Sequence, residues 1–132
     1  MNTITLNKIS RISQIILLGL MFITTGCKKD DTANPYNGTV WKYMKSGDGY
    51  QYETIITFQA ENYKYEETDN YNGSISSYTG QGIYSYDNQN IHLNGNIAEG
   101  SGTSSAWSAD GTVSGNQMIL VIYNSSFVFV KQ

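Results

Sequence analysis

The sequence predicts an all-β fold: an antiparallel up-and-down (meander) β-barrel of about eight strands, with a β-sandwich as the alternative. Three observations lead there. Beyond Cys27 the chain carries all eleven tyrosines together with many threonines, valines and isoleucines, residues that favour strands. Its glycines, asparagines and aspartates fall in short clusters that suit tight turns, and it has one proline. Between those clusters apolar and polar residues alternate with period two, and no stretch after Cys27 has a helical period.

The elements follow in order. Thr39 to Lys45 alternates, with Trp41 and Tyr43 on one face and Val40, Lys42 and Met44 on the other; Ser46 to Gly49 turns. Tyr50 to Gln59 places Tyr52, Thr54, Ile56 and Phe58 on one face and Gln51, Glu53 and Thr57 on the other. Ala60-Glu61 connects to Asn62–Thr68, where Tyr63 and Tyr65 alternate with Lys64 and Glu66. Asp69 to Gly73 reads as a turn with an Asn-Gly pair. A fourth strand runs from Ser74 to Tyr86, ends with Tyr84 and Tyr86 on one face, and contains Gly80 and Gly82, which predict a bulge or sharp bend. After Asp87-Asn88, Ile91 and Leu93 alternate with His92. A glycine-serine loop from Glu99 to Thr103 leads to Ser104–Ser114, with Trp107. Gly115-Asn116 turns into Gln117–Tyr123, apolar on both faces, and Asn124-Ser125 turns into Ser126–Lys131. Connections this short make consecutive strands antiparallel neighbours. The last two strands are the most hydrophobic and need pairing on both sides, which favours closure into a barrel.

The N-terminal segment carries an address. Lys8 and Arg11 precede an apolar run from Ile15 to Ile23, about nine residues against the ~20 of a bilayer span. Small residues Thr24-Thr25-Gly26 then precede Cys27, the single cysteine of the chain. This arrangement resembles the bacterial lipoprotein box, in which the cysteine thiol is acylated and becomes the mature N-terminus; Thr24 stands where that pattern usually has leucine. The resemblance implies a signal peptide over residues 1–26, lipid attachment at Cys27, and a membrane partnership through the acyl chains. Lys28-Lys29-Asp30-Asp31 resembles the short export tag that sends such lipoproteins to the outer face of the outer membrane. Residues 27–37 would then be the lipidated cysteine and tether, and 38–132 the barrel domain.

Charge narrows the function classes. Without residues 1–26 the chain has six lysines, no arginine and eleven acidic residues, a net charge of −5. Scattered lysines on an acidic chain make a poor nucleic-acid binder. His92, the sole histidine, lies on a strand between apolar neighbours and is expected at the surface. One histidine and one acylated cysteine supply no zinc site, and no glycine-flanked nucleophile appears; no cofactor, metal or catalytic residue is implied. Glu66-Glu67-Thr68-Asp69, the densest acidic cluster, lacks EF-hand spacing and reads as a solvated turn.

Gly38-Thr39-Val40-Trp41 resembles the start motif of the lipocalins, with one residue more between glycine and tryptophan. Ile55-Ile56-Thr57-Phe58, Gly82-Ile83-Tyr84-Ser85-Tyr86, Gly111 to Met118 and Phe127 to Lys131 follow in an order similar to small bacterial (Bacteroidetes-type) lipocalin-like lipoproteins. The resemblance implies a Trp41 that plugs one barrel end, here with no arginine to stack on it. It also implies a non-catalytic protein that binds a small hydrophobic or amphipathic ligand. On that reading Trp41, Tyr43, Tyr52, Ile56, Phe58, Tyr63, Tyr65, Tyr84, Tyr86, Leu93 and Trp107 are the candidate ligand-binding residues. The same aromatics could instead fill the barrel as core. A third reading makes Tyr36, Tyr50, Tyr71, Tyr78 and Tyr123 an adhesive surface for a protein or glycan partner.

Overall fold

The computed structural model describes residues 33–132; the segment 1–26, Cys27 and Lys28–Asp31 lie outside the described residues. Eight strands follow one another: β1 (Val40–Gly47), β2 (Tyr50–Phe58), β3 (Asn62–Tyr71), β4 (Ser74–Asp87), β5 (Asn90–Glu99), β6 (Ser105–Ser114), β7 (Gln117–Ile122) and β8 (Ser125–Lys131). Each pairs antiparallel with the next, and β8 returns to β1. The result is the closed meander barrel that the alternation predicts; the sandwich alternative does not occur.

Period-two burial runs through every strand. Trp41, Ile56, Phe58, Tyr63, Tyr65, Ile91, Leu93, Trp107, Ala109, Met118, Leu120 and Phe129 form the buried core, while their neighbours in sequence face out. On β7 and β8 the outward residues Ile119, Val121, Val128 and Val130 remain largely exposed. Two hairpins, Asn72-Gly73 and Tyr123-Asn124, have positive φ at both central residues, the geometry that matches strand twist in two-residue turns.

The turn at Asn72-Gly73 corrects one boundary. The acidic segment Glu66–Asp69 is no solvated turn: β3 continues through it to Tyr71, pairing with β2 on one side and β4 on the other. Alternation then carries Glu67 and Asp69 to the inner face, in phase with Tyr63 and Tyr65.

The barrel unit also begins earlier than Gly38. Asn34 Nδ2 donates to Ala60 O at 2.7 Å and to Tyr84 Oη at 2.6 Å. Tyr36 is 5% exposed and packs against Phe58, Tyr84 and Tyr86, with ring centroids 5.7, 6.2 and 5.1 Å away. Residues 34–37 therefore belong to the barrel end and not to a tether, and Tyr36 is core and not adhesive surface. Trp41 lies beneath this cap, its Nε1 donating to Thr39 Oγ1 at 2.9 Å, and Thr39 Oγ1 donates to Tyr36 O at 2.6 Å. With no arginine at hand, Lys131 supplies the cation: its Nζ stands 6.0 Å from the Trp41 ring centroid.

Gly80 and Gly82 do not mark a bulge. Pairing passes through both without a skipped residue, Tyr65↔Gly80 and Gly82↔Gly95 among the partners. Their role is close approach. A Cβ on Gly82 would lie 2.1 Å from Asn94 O and 2.6 Å from Gly95 Cα, and one on Gly95 would lie 2.7 Å from the Tyr63 hydroxyl. The glycines let β4 and β5 bend round the barrel and leave room for the Tyr63 ring. Replacing Gly82 with alanine should lower unfolding free energy by about 3 kcal/mol, measured by urea denaturation, because backbone atoms must move. A midpoint equal to that of the unsubstituted chain would show that this approach constrains nothing.

Candidate functional site

One end of the barrel is filled and the other holds a cavity. The filled end carries the β2–β3, β4–β5 and β6–β7 turns and the cap of residues 34–38. There and in the barrel's middle, Trp41, Ile56, Phe58, Leu93, Met118, Leu120 and Phe129 leave no exposed surface worth the name. At the opposite end, where the β5–β6 loop and the β7–β8 hairpin meet, lies a cavity of about 440 Å³. That volume suits a small ligand.

The register of the strands builds the cavity. Thr54 on β2 pairs with Glu67 on β3, Glu67 with Tyr78 on β4, and Tyr78 with Glu99 on β5. One row across four strands thus places a carboxylate on each side of Tyr78. Tyr65 and Trp107 form the floor, both nearly buried and 5.2 Å apart between centroids. Tyr52, Phe127, Ile97 and Ile122 add wall, and Tyr123 stands at the rim.

Glu67 is the most elaborated polar group in the cavity. The hydroxyl of Tyr52 donates to its Oε2 at 2.5 Å, and the hydroxyl of Tyr65 donates to the same oxygen. Burial pushes both phenols well above the ordinary tyrosine value, and the hydrogen bond to the Glu67 carboxylate pushes further the same way. Tyr63, deeper inside, is pushed up to about 12 by burial, and its hydroxyl has no partner among the described residues. Asp69, at the next inward position of β3, has a buried Oδ1 likewise without a partner.

The structure separates the eleven residues expected to bind ligand. Tyr52, Tyr65 and Trp107 line the cavity. Trp41, Ile56, Phe58, Tyr63 and Leu93 are core below it. Tyr43 packs on Phe127 and Phe129, at 5.2 and 5.7 Å, behind the cavity wall. Tyr84 and Tyr86 lie at the filled end with Tyr36. Those eight do not reach the cavity because register places them below it, behind its wall or at the opposite end, where their own side chains fill the barrel. Glu67, Ile97 and Glu99 are cavity residues that the sequence reading missed, and Tyr78, expected on an adhesive surface, lines the cavity as well. The signal was present: Glu67 is in phase with Tyr63 and Tyr65, Tyr78 with Tyr84, and Ile97 and Glu99 with Ile91 and Leu93. His92 is on the outer face as expected, its Nδ1 2.6 Å from Asp110 Oδ1 on the neighbouring strand. Cys27 and the Lys28–Asp31 tag are outside the described residues.

Fold and cavity together define a closed antiparallel barrel with a packed base and an acidic, aromatic cup at its mouth. Set against known protein families, curated proteins and solved structures, the chain matches none.

Two outcomes follow from the cup's local physics. Tyr123 has φ 48°, a left-handed conformation that is costly for a bulky residue, and it is 85% exposed. Tyr123→Gly should therefore raise stability by about 1 kcal/mol in chemical denaturation while it removes part of the rim. A loss of stability would show that the side chain anchors the hairpin. Alkali should act through the buried phenols. Tyr52, Tyr63 and Tyr65 ionise less readily folded than unfolded, where the ordinary value of 10 applies. The stability they contribute is complete below pH 10 and is lost as pH rises through the folded values. Titration followed at the tyrosinate absorbance should show a late fraction that appears together with loss of near-ultraviolet circular dichroism; ionisation of every tyrosine in a still-folded barrel would contradict this.

Proposed function

We propose that this protein is a lipocalin-like lipoprotein, anchored through acylated Cys27 on the outer membrane and facing the cell exterior. It is non-catalytic and holds a small amphipathic or hydrophobic ligand in the cup. The observation that carries the binding reading is the 440 Å³ cavity set above a fully packed interior. Packing was available to fill this space, since the same small barrel is filled at its other end. A protein that only needed a stable scaffold would gain from closing the cup with larger side chains.

The ligand enters between the β5–β6 loop and the β7–β8 hairpin and rests on Tyr65 and Trp107. Its apolar part lies along Ile97, Ile122 and Phe127, and its polar part reaches Glu67 and Glu99. A second reading, capture of a protein or glycan partner, draws on Tyr71 and Tyr123, which are 62% and 85% exposed at the cup end. The cup favours the small-ligand reading because its floor is enclosed, whereas an adhesive surface needs only the rim.

Native mass spectrometry of the chain extracted gently from its own membranes should show an added mass on the order of a few hundred daltons. Ser105→Trp, which fills the cup from its edge, should abolish it. A bare mass in the unsubstituted chain, with partner capture that is lost on substitution of Tyr71 and Tyr123, would instead favour the adhesive reading. Cys27→Ser should shift the protein from the membrane fraction to the soluble fraction; unchanged partitioning would overturn the anchor.

A further inference from the structure

We infer that the ligand held in the cup is an organic cation, a molecule with an alkyl or aryl body and a protonated or quaternary amine directed at Glu67. This rests on the small-ligand reading above and names the chemistry of that ligand.

The walls carry the inference. Five tyrosine and tryptophan rings (Tyr52, Tyr65, Tyr78, Trp107 and Tyr123) surround the cavity, together with two carboxylates and no lysine, arginine or histidine. Rings with a negative face, arranged around a half-open cup, attract a cation. A neutral apolar ligand would need the rings but not the carboxylates. An anion would meet both carboxylates with nothing to offset them.

Glu67 is placed for such a ligand. Tyr52 and Tyr65 both donate to Oε2, which fixes the carboxylate through one of its two oxygens. Held this way, the group presents only an acceptor and a negative charge. Glu99 stands two strands away in the same row, with Tyr78 between them. Adjacent strands are about 4.8 Å apart, so two carboxylates in one row repel across roughly 10 Å. The field is already visible on Tyr78, whose phenol is pushed up chiefly by the charge of Glu99, then by burial, Glu67 and Asp69. A positive group seated between the two acids relieves that repulsion and gains from both. The occupant is organic: among the described residues no three His, Cys, Asp or Glu side chains converge to hold a metal ion, while the aromatic walls need a partner with an apolar body.

The test compares three probes with one phenylethyl body on the full chain: (2-phenylethyl)trimethylammonium, its neutral carbon isostere, and 3-phenylpropanoate. Binding is read by titration calorimetry and by the fluorescence of Trp107 at the cavity floor. The ammonium probe should bind about tenfold more tightly than the neutral one, and the carboxylate should not bind. Glu67→Gln, which keeps an acceptor for both phenols, should erase that preference and leave the neutral probe unaffected. Glu99→Gln, at the more exposed side of the cup, should reduce the preference and serves as the control if Glu67→Gln fails to fold. Equal binding of neutral and cationic probes overturns the cation and leaves the container intact, as does a native ligand without a basic nitrogen. Failure of all three probes, in a chain that also carries no native adduct, overturns the container and the cation together.

Discussion

Closure of the sheet at the β1–β8 seam is the constraint on which the rest of the barrel depends. The other seams are long: β2 and β3 share nine residue pairs from Tyr50↔Tyr71 to Phe58↔Tyr63. The closing seam has two, Trp41↔Lys131 and Lys42↔Val130, extended by the bond from Gln132 N to Val40 O at 2.9 Å. Above that point side chains replace the ladder. Tyr43 of β1 meets Phe127 and Phe129 of β8 edge-on and tilted, at 5.2 and 5.7 Å, contacts worth about 0.5–1.5 kcal/mol each beyond their buried area. If the seam opened, β8 would present an edge next to β7. Those two strands carry Ile119, Val121, Val128 and Val130 on the outside and Met118, Leu120, Phe127 and Phe129 on the inside. An open edge that is apolar on both faces is a template for aggregation. The closed barrel hides the edge but still leaves the outer valines and isoleucines in contact with solvent.

Closure also explains the uneven filling. The cap from Asn34 to Gly38 covers the end where the seam is hydrogen-bonded, with Gly38 N bonded to Phe58 O at 3.0 Å and the Asn34 side chain tied to Ala60 and Tyr84. At the other end β1 and β8 are held only by aromatic contacts, and the enclosing elements are a five-residue loop after Glu99 and tight hairpins. Large rings pack the first end because a fixed backbone lets them interlock. The second end is lined by rings, two of which turn their hydroxyls to one carboxylate, and its space remains open. A barrel of this size can do only one of these things at each end.

How much of this was readable in the chain is a matter of phase. Strong alternation at Trp41/Tyr43, Tyr52 to Phe58, Ile91/Leu93 and Phe127/Phe129 gives the inner face directly, and with short turns it gives the meander. The lapses came where a polar residue occupies an inward position. Glu66 to Asp69 looks like a charged turn because its composition is that of a turn; continued by twos from Tyr63, the pattern reaches Glu67 and Asp69. Gly80 and Gly82 look like interruptions because a glycine in a strand usually weakens it. What they accommodate, the β5 backbone at Asn94 to Ile97, belongs to another strand and has no local trace. Tyr36 precedes the first strand and carries no period at all, so its burial against Tyr84 and Tyr86 could be known only once the strands had been brought together.

The candidate ligand set shows the same division in a sharper form. Eleven aromatic and aliphatic positions all face inward, as alternation says they should, and yet three of them meet the cavity. Inwardness is a property of one strand, while depth along the barrel axis is a property of register. Tyr52, Tyr65 and Trp107 reach the cup because their strands are staggered so that these rings lie nearest the mouth. Tyr84 and Tyr86, of the same inward phase, come from the opposite end of β4 and meet the cap, where Tyr86 is still 40% exposed. The carboxylates obey the same rule. Glu67 and Glu99 lie far apart in sequence and share a row only because β4 pairs with both β3 and β5 through Tyr78. Such a row costs electrostatic energy in an empty cup, and two phenols are committed to holding one of its members in place. Tyrosine at these positions, where phenylalanine would pack as well, ties the inner wall of the barrel to the charge it presents at the mouth.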